Sequence, residues 1–470
     1  MFALAPRHGA FFCLLAAPSC TPPTTQISVP GPGEAAKSTP TETAPASTQP
    51  QDVATSTDGP ATTPDSGTTE PWDQPYNGIL DTSGPVDVLT LWGSRHDIGY
   101  AEGALLCDRI TNLVEDYVLD FWIADSGMDW DTLSAFAIDP IDVSGGDRDE
   151  LEGLLQGMQD HCPADALIVQ SDYLGLGDDG SRALTLDDLI LANALPDLGC
   201  SSFTVWGEAS ASQSTLHGRN FDYTSDPKNT FLTEHLIKVI RSDDEDTDFV
   251  SVSMPGLMGC ISCFSDDGVG LTMHNVTGLS TEHLGGFVPR TWAMRAALVA
   301  AANGPDPIGA AESVMDGSPQ FRGNNLHLSL PCDGDGCTGG AVYELDGHTS
   351  HGDGQATVRL PHHDLIGAGS AIVATNHYVE RSTPPTSGDS YSRYDDLSDH
   401  IQQAIGDGGV DVSTAWSMLS DVSLSNTAHS LVVHDRILHL RVSRDRSTRA
   451  TDVPAISLGF DDLFAAVPTH

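Results

Sequence analysis

Lysine is nearly missing from this chain. Only Lys37, Lys228 and Lys238 occur in 470 residues, and lysine and arginine together number 21 against 66 aspartates and glutamates. The resulting net charge of −45 excludes a surface built to meet nucleic-acid phosphates or an anionic membrane. Metal-binding patterns are incomplete as well. Cys260-Ile-Ser-Cys263 has no second Cys-x-x-Cys to complete a zinc site. Asp333-Gly334-Asp335-Gly336 lacks the full loop and distal Glu of a calcium site. His348, His351, His362 and His363 have no third ligand at motif spacing. No metal and no cofactor is expected. The apolar run Ala10 to Ala17 is too short to span a bilayer as a mature helix. A hydrophobic fraction of 39% still suffices for a core, and the length allows one large domain or two.

Residues 1–20 read as an export signal. Arg7 and His8 precede the short apolar run, which ends at Ala17-Pro18-Ser19-Cys20. This ending is similar to a lipoprotein signal-peptidase site, and it leaves two outcomes open: acylation of Cys20 as a membrane tether, or simple cleavage. The expected location is periplasmic or cell-surface, alternatively secreted. Nine cysteines occur. With Cys13 in the signal, Cys20 at its end and Cys200 reserved for chemistry, Cys107, Cys162, Cys260, Cys263, Cys332 and Cys337 form an even remainder, which suits disulfides in an exported protein. Cys332 and Cys337 flank a tight turn and form the first pair to expect. Cys260 and Cys263 are read as a local bridge.

Residues 21–75 are rich in Thr, Pro, Ser, Ala and Gly and poor in large apolar side chains. They cannot bury enough surface to offset chain entropy and read as a disordered tether. Order is expected from near Val86. Residues 76–199 then form a mostly helical segment, with a strand at 86–93 and helices from Ile98, over 147–162 and over 184–198. From Cys200 to the end at 470 the character changes. Strands are expected at 202–206, 213–218, 234–241, 248–254, 268–276, 340–346, 370–376 and in a hairpin over 430–442. Helices at 289–303, 307–316, 391–406 and 412–420 interrupt them. This alternation in runs indicates a layered α+β domain.

The chemistry gathers at the change of character. Gly199-Cys200-Ser201-Ser202-Phe203 is followed by Gly218-Arg219-Asn220-Phe221-Asp222. Arg219 and Asp222, three apart on an irregular strand end, can both face one thiol. Asn275 closes one apolar strand with His274 beside it, and Asn376 closes a second within Thr375-Asn376-His377. Ser390-Tyr391-Ser392-Arg393 opens a helix. His217 is near in sequence, yet no histidine has a placement that singles it out as the base for Cys200.

This constellation, with Gly99-Tyr100-Ala101-Glu102-Gly103 upstream, resembles the peptidase C45 family of N-terminal nucleophile (Ntn) hydrolases, which contains acyl-CoA:6-aminopenicillanic acid acyltransferases. More distantly it resembles the choloylglycine hydrolases. The resemblance spans roughly residues 86–440. It implies an αββα four-layer sandwich preceded by the helical segment. It also implies self-cleavage between Gly199 and Cys200, after which the freed α-amine, of pKa about 7.7–8.0, serves as base for its own thiol. By the same resemblance Asp222 binds that amine and Arg219 lies against the thiol. Asn275 contributes to an oxyanion hole, with His274 as rival donor. Asn376 holds the amine or substrate carbonyl, and Arg393 supports the site or binds an acid group. The implied activity is acyl transfer or amide hydrolysis through a Cys200 thioester, acting on an N-acyl amide or small acyl donor. An ester or lipid hydrolase of the same fold, or an inactive exported binding protein, remains the alternative.

Overall fold

A computed structural model describes residues 74–467, apart from 125–129, 132–133, 135–137, 139–140, 144, 175–179, 195–198, 280–285, 321, 347–354, 362–368, 383–388 and 466. The export signal, nearly all of the tether, and His348, His351, His362 and His363 lie outside the described residues. Residues 74–467 fall in one compact unit. Among the described residues, nine strands build one sheet: β1 (Gly78–Asp81), β2 (Val88–Gly93), β7 (Leu236–Ser242), β8 (Phe249–Ser253), β9 (Ser262–Ser265), β10 (Gly270–Leu279), β11 (Arg322–Ser329), β12 (Gly340–Leu345) and β13 (Thr357–Arg359), in that order across it. A second sheet has the order β14 (Ala371–Ala374), β5 (Gly199–Val205), β6 (Leu216–Asp222), β15 (Thr427–His434), β16 (Ile437–Val442) and β17 (Ile456–Gly459). A small ribbon of β3 (Ile168–Gln170) and β4 (Ser181–Ala183) stands apart from both.

The layering follows from strand alternation. On β5 and β6, Phe203, Val205 and Leu216 pack with Tyr394, Leu397, Met418 and Leu419, which belong to helices α6 (Asp389–Gly406) and α7 (Val412–Asp421). The intervening residues point the other way, toward the nine-stranded sheet. That sheet carries its own helices on its far side: α1 (Arg95–Asn112), α2 (Gly145–His161), α3 (Leu186–Ala194), α4 (Arg290–Asn303) and α5 (Pro307–Asp316). The result is the αββα sandwich. The helical segment is stitched into it, because β2 pairs in parallel with β7. Strands β1, β3, β4, β9, β11, β13 and β17 were not expected from the sequence. They are short, interrupted by polar residues, or placed at a sheet edge, so the alternation signal is weak there.

Helices α1 and α2 meet through glycine. A Cβ on Gly99 or Gly103 would stand 1.9 or 2.0 Å from the carbonyl oxygen of Glu150 or Leu154, and one on Gly153 or Gly157 would stand 2.2 or 2.0 Å from that of His96 or Tyr100. The backbones therefore touch, and Cys107–Cys162 ties the same two helices covalently. Cys260–Cys263 and Cys332–Cys337 are also bonded, and Cys200 is the free cysteine among the described residues.

The seam between the sheets is apolar at one end, where Ile237, Val239, Val250 and Phe264 meet Leu431, Val433 and Leu438. Elsewhere it is polar. His327 bonds Ser202 and Thr204 at 2.6 and 2.8 Å, Thr204 bonds His217 at 2.9 Å, and His429 bonds Ser262 at 3.0 Å and His235 at 3.4 Å. Burial pushes all of these imidazoles down, His217 to about 3 and His235 to about 4, so they are neutral in the fold.

Two outcomes follow. Gly103→Ala should lower stability by roughly 1–3 kcal/mol through overpacking, read as a urea midpoint shift without loss of the Cys107–Cys162 bond. The unfolded chain protonates histidine below about pH 6.5 while the folded chain cannot. Each buried histidine should then remove up to about 1.4 kcal/mol of stability per pH unit as pH falls from there. His429→Gln should flatten the measured slope of unfolding free energy between pH 6 and 4.5 by about one proton, and an unchanged slope would contradict a neutral seam.

Candidate active site

Cys200 opens β5 opposite Phe221 of β6, with Gly199 paired to Asp222. Alternation directs Cys200, Ser202 and Thr204, with His217, Arg219 and Phe221, to the inter-sheet face, and Ser201, Asn220 and Asp222 to the helical face. This corrects the expectation that Arg219 and Asp222 both present their side chains to the thiol. β6 stays regular through Asp222, so a spacing of three sends them to opposite faces. Arg219 Nη2 donates to Cys200 Sγ at 3.2 Å. The Asp222 carboxylate instead accepts from Thr427 Oγ1 at 2.5 Å and stands 3.8 Å from Arg393 Nη1, while its backbone N–H reaches the sulfur.

The thiol is fully buried. Burial pushes its pKa up to about 11, more than the Arg219 guanidinium can offset. Arg219 is itself held below the ordinary arginine range by burial. Its guanidinium lies 5.3 Å from the Phe221 ring centre, and its Nε and Nη1 have no hydrogen-bond partner among the described residues. Burial also raises the Asp222 carboxyl, against the pull of Arg393.

The backbone of Cys200 is gripped separately. Its N–H donates to Asn376 Oδ1 at 3.0 Å, and Arg393 Nη1 donates to its carbonyl at 2.9 Å. Arg393 Nη2 donates to the same Asn376 Oδ1 at 2.9 Å, and Asn376 Nδ2 donates to the Asn275 carbonyl at 2.6 Å. Cys200, Arg219, Asp222, Asn275, Asn376 and Arg393 thus converge from β5, β6, β10, the turn after β14 and α6.

The histidines are used elsewhere. His217 sits between Thr204 and Thr272. His274 donates from Nδ1 to the Asn325 carbonyl at 3.1 Å, and burial holds it neutral. Its Nε2 therefore carries no proton and cannot donate to an oxyanion, which removes it as the rival of Asn275. No described histidine is hydrogen-bonded to Cys200. Asp335, in the turn closed by Cys332–Cys337, accepts from the Glu208 N–H at 2.9 Å and so ties that turn to the one after β5.

One pocket is lined by Val114, Tyr117, Val118, Tyr223, Phe231 and Met254, among others. Tyr223 lies two residues beyond Phe221, so β6 leads from the thiol to this wall. The opposite wall comes from the π-helical turns Leu113–Ile123 that continue α1. Glu102, inside the Gly99–Gly103 element, holds the cavity's Met254–Leu257 turn: it accepts from the Gly256 N–H at 2.6 Å and from Lys238 at 2.5 Å. Lys238 also donates to the Leu257 carbonyl at 2.8 Å. Neither Tyr223 nor Phe231 carries a sequence signal beyond being aromatic. Thr427 and Asn325 carry none.

Since burial pushes the Cys200 thiol up to about 11, its alkylation by iodoacetamide should be slow at pH 7. The rate should rise about tenfold per pH unit up to pH 10, and Arg219→Gln should move the curve to still higher pH. A pH-independent rate from pH 6 would contradict the burial of the group.

No known protein family profile matches the chain, and no curated protein does. Among solved structures it is similar to a Caenorhabditis elegans ortholog of N-acylethanolamine-hydrolyzing acid amidase, at 14% identity over 50% of this chain and 92% of that one, with a TM-score of 0.37. It is also similar to two variants of conjugated bile acid hydrolase from Clostridium perfringens, each at 10% identity. One covers 55% of this chain and 92% of that chain with a TM-score of 0.33, and the other covers 56% and 93% with 0.36. At these scores the likeness assigns neither family nor activity.

Proposed function

We propose that this chain is a self-cleaving, cysteine-dependent amidohydrolase or acyltransferase. The observation that carries the reading is the environment of Cys200. It is a free thiol with a buried guanidinium on its sulfur, its own amide N–H is held by Asn376, and no described histidine bonds it to act as base. A thiol without a side-chain base needs another proton acceptor, and a freed α-amine on the same residue supplies one.

In the first step Sγ adds to the Gly199 carbonyl carbon, the thiol proton passes to the Cys200 nitrogen, and the Gly199–Cys200 C–N bond breaks. Gly199 is left as a thioester on Sγ, and water hydrolyses it to a carboxylate and a free thiol. In this reading Asp222, paired across from Gly199 in the register, holds the new ammonium. In turnover the amine takes the thiol proton as Sγ adds to a substrate amide, then gives it to the leaving amine. The acyl-enzyme thioester passes to water or to an acceptor amine. Arg219 stabilises the thiolate as it forms, and Asn275 donates to the oxyanion. The cavity lined by Tyr117, Tyr223 and Phe231 favours an apolar acyl group. The three disulfides suit an exported protein, tethered through Cys20 or released.

Purified protein should yield a fragment whose N-terminal sequence is Cys-Ser-Ser-Phe, and Cys200→Ala should stay as one inactive chain. An active preparation consisting only of uncut chain would refute the amine mechanism. Asn275→Ala should lower kcat by roughly 10²–10³ with little change in KM. A change in KM alone would reassign Asn275 to substrate binding.

A further inference from the structure

The turn that carries Asn376 is not held by its own strand. β14 ends at Ala374, and the chain from Thr375 to Arg381 leaves the six-stranded sheet. Three buried polar side chains on successive strands of the opposite sheet reach across to it and to the end of β14. Arg359 of β13 donates to the Val373 carbonyl at 2.6 Å. Glu344 of β12 accepts the backbone N–H groups of Val379, Glu380 and Arg381 at 2.7, 3.0 and 2.8 Å. Asn325 of β11, directly opposite Glu344 in the register, donates from Nδ2 to the Thr375 carbonyl at 3.0 Å and to the His377 carbonyl at 2.6 Å.

Asn325 is therefore the member of this row that straddles Asn376. Both of its amide hydrogens are spent on the two carbonyls flanking that residue, and it is fully buried. The flanking peptide planes set the direction in which the Asn376 side chain leaves the backbone. That direction gives Oδ1 to both the Cys200 N–H and Arg393, and Nδ2 to Asn275. The same strand meets the site a second way, because the Asn325 backbone carbonyl accepts from His274, the neighbour of Asn275. A hydroxyl or carboxylate at position 325 could not donate to two carbonyls at once, whereas a carboxamide can.

We propose that Asn325 is a positioning residue for the Cys200 site, orienting Asn376 by bridging the carbonyls of Thr375 and His377. This rests on the cysteine-dependent reading above, and its test separates the two. Asn325→Asp keeps the shape. Protonated in that buried place, it retains one donor of the two, while Asn325→Ala retains none. Kinetics should fall in the order Asn, Asp, Ala. We expect kcat for an N-acyl amide to drop about tenfold and about a hundredfold respectively, with KM within twofold, and the rate of Gly199–Cys200 cleavage to fall in the same order. Crystal structures of the two variants should show the Asn376 carboxamide turned away from the Cys200 nitrogen in Asn325→Ala. If both variants lose thermal stability while kcat per folded, cut molecule equals that of the parent, Asn325 is a packing residue only and the proposal is overturned. An unmoved Asn376 in Asn325→Ala would overturn it equally. If the parent itself neither cuts nor hydrolyses amides, the functional reading fails, and the orientation of Asn376 in the variant structures still decides the positioning claim.

Discussion

The Cys200 amide donating to Asn376 Oδ1 is the contact on which the rest of the site depends. It places the Cys200 backbone nitrogen, a carboxamide and the Arg393 guanidinium at one point, while the thiol of the same residue points to the inter-sheet face. Separation of the two halves of one residue by a strand lets the protein treat them differently. The backbone meets fixed donors and acceptors, and the sulfur meets a buried cation in apolar surroundings. Unmade hydrogen bonds in such a place are expensive. The unpartnered atoms on Arg219, Asp222 and Asn275 are therefore meaningful as a group. They are two donors on Arg219 and one acceptor each on Asp222 and Asn275.

The sandwich exists to hold that arrangement. Its two sheets contact each other partly through neutral histidines and hydroxyls rather than hydrocarbon, and each such contact is directional. An apolar seam tolerates sliding, but a seam in which His327 bonds both Ser202 and Thr204 fixes the stagger of β5 against β11. Ser202 and Thr204 lie on the same strand and face as Cys200. Register between the sheets is thus set within two residues of Cys200, and the Asn325, Glu344 and Arg359 row carries the same register to the Asn376 turn. The glycine-faced helices α1 and α2 extend it to the cavity, since Glu102 on α1 fixes the Met254–Leu257 turn.

The amino-acid sequence by itself determined the elements with strong periodicity and the residues with motif spacing. The strand end before Asn376, the helices over 290–303, 307–316 and 412–421, and the short Cys260–Cys263 and Cys332–Cys337 bridges could be read because each depends on neighbours a few residues away, whereas the strand expected to close at Asn275 continues to Leu279 by pairing with the distant β11. What only the tertiary structure decided depends on contacts between distant strands. The faces of Arg219 and Asp222 turned on whether β6 stayed regular, which its unbroken pairing with β5 enforces. The exclusion of His274 turned on a carbonyl at Asn325. Glu344, Asn325 and Thr427 had no local pattern, because a buried polar residue is defined by the partner that satisfies it, and each of these partners is supplied by a different part of the chain.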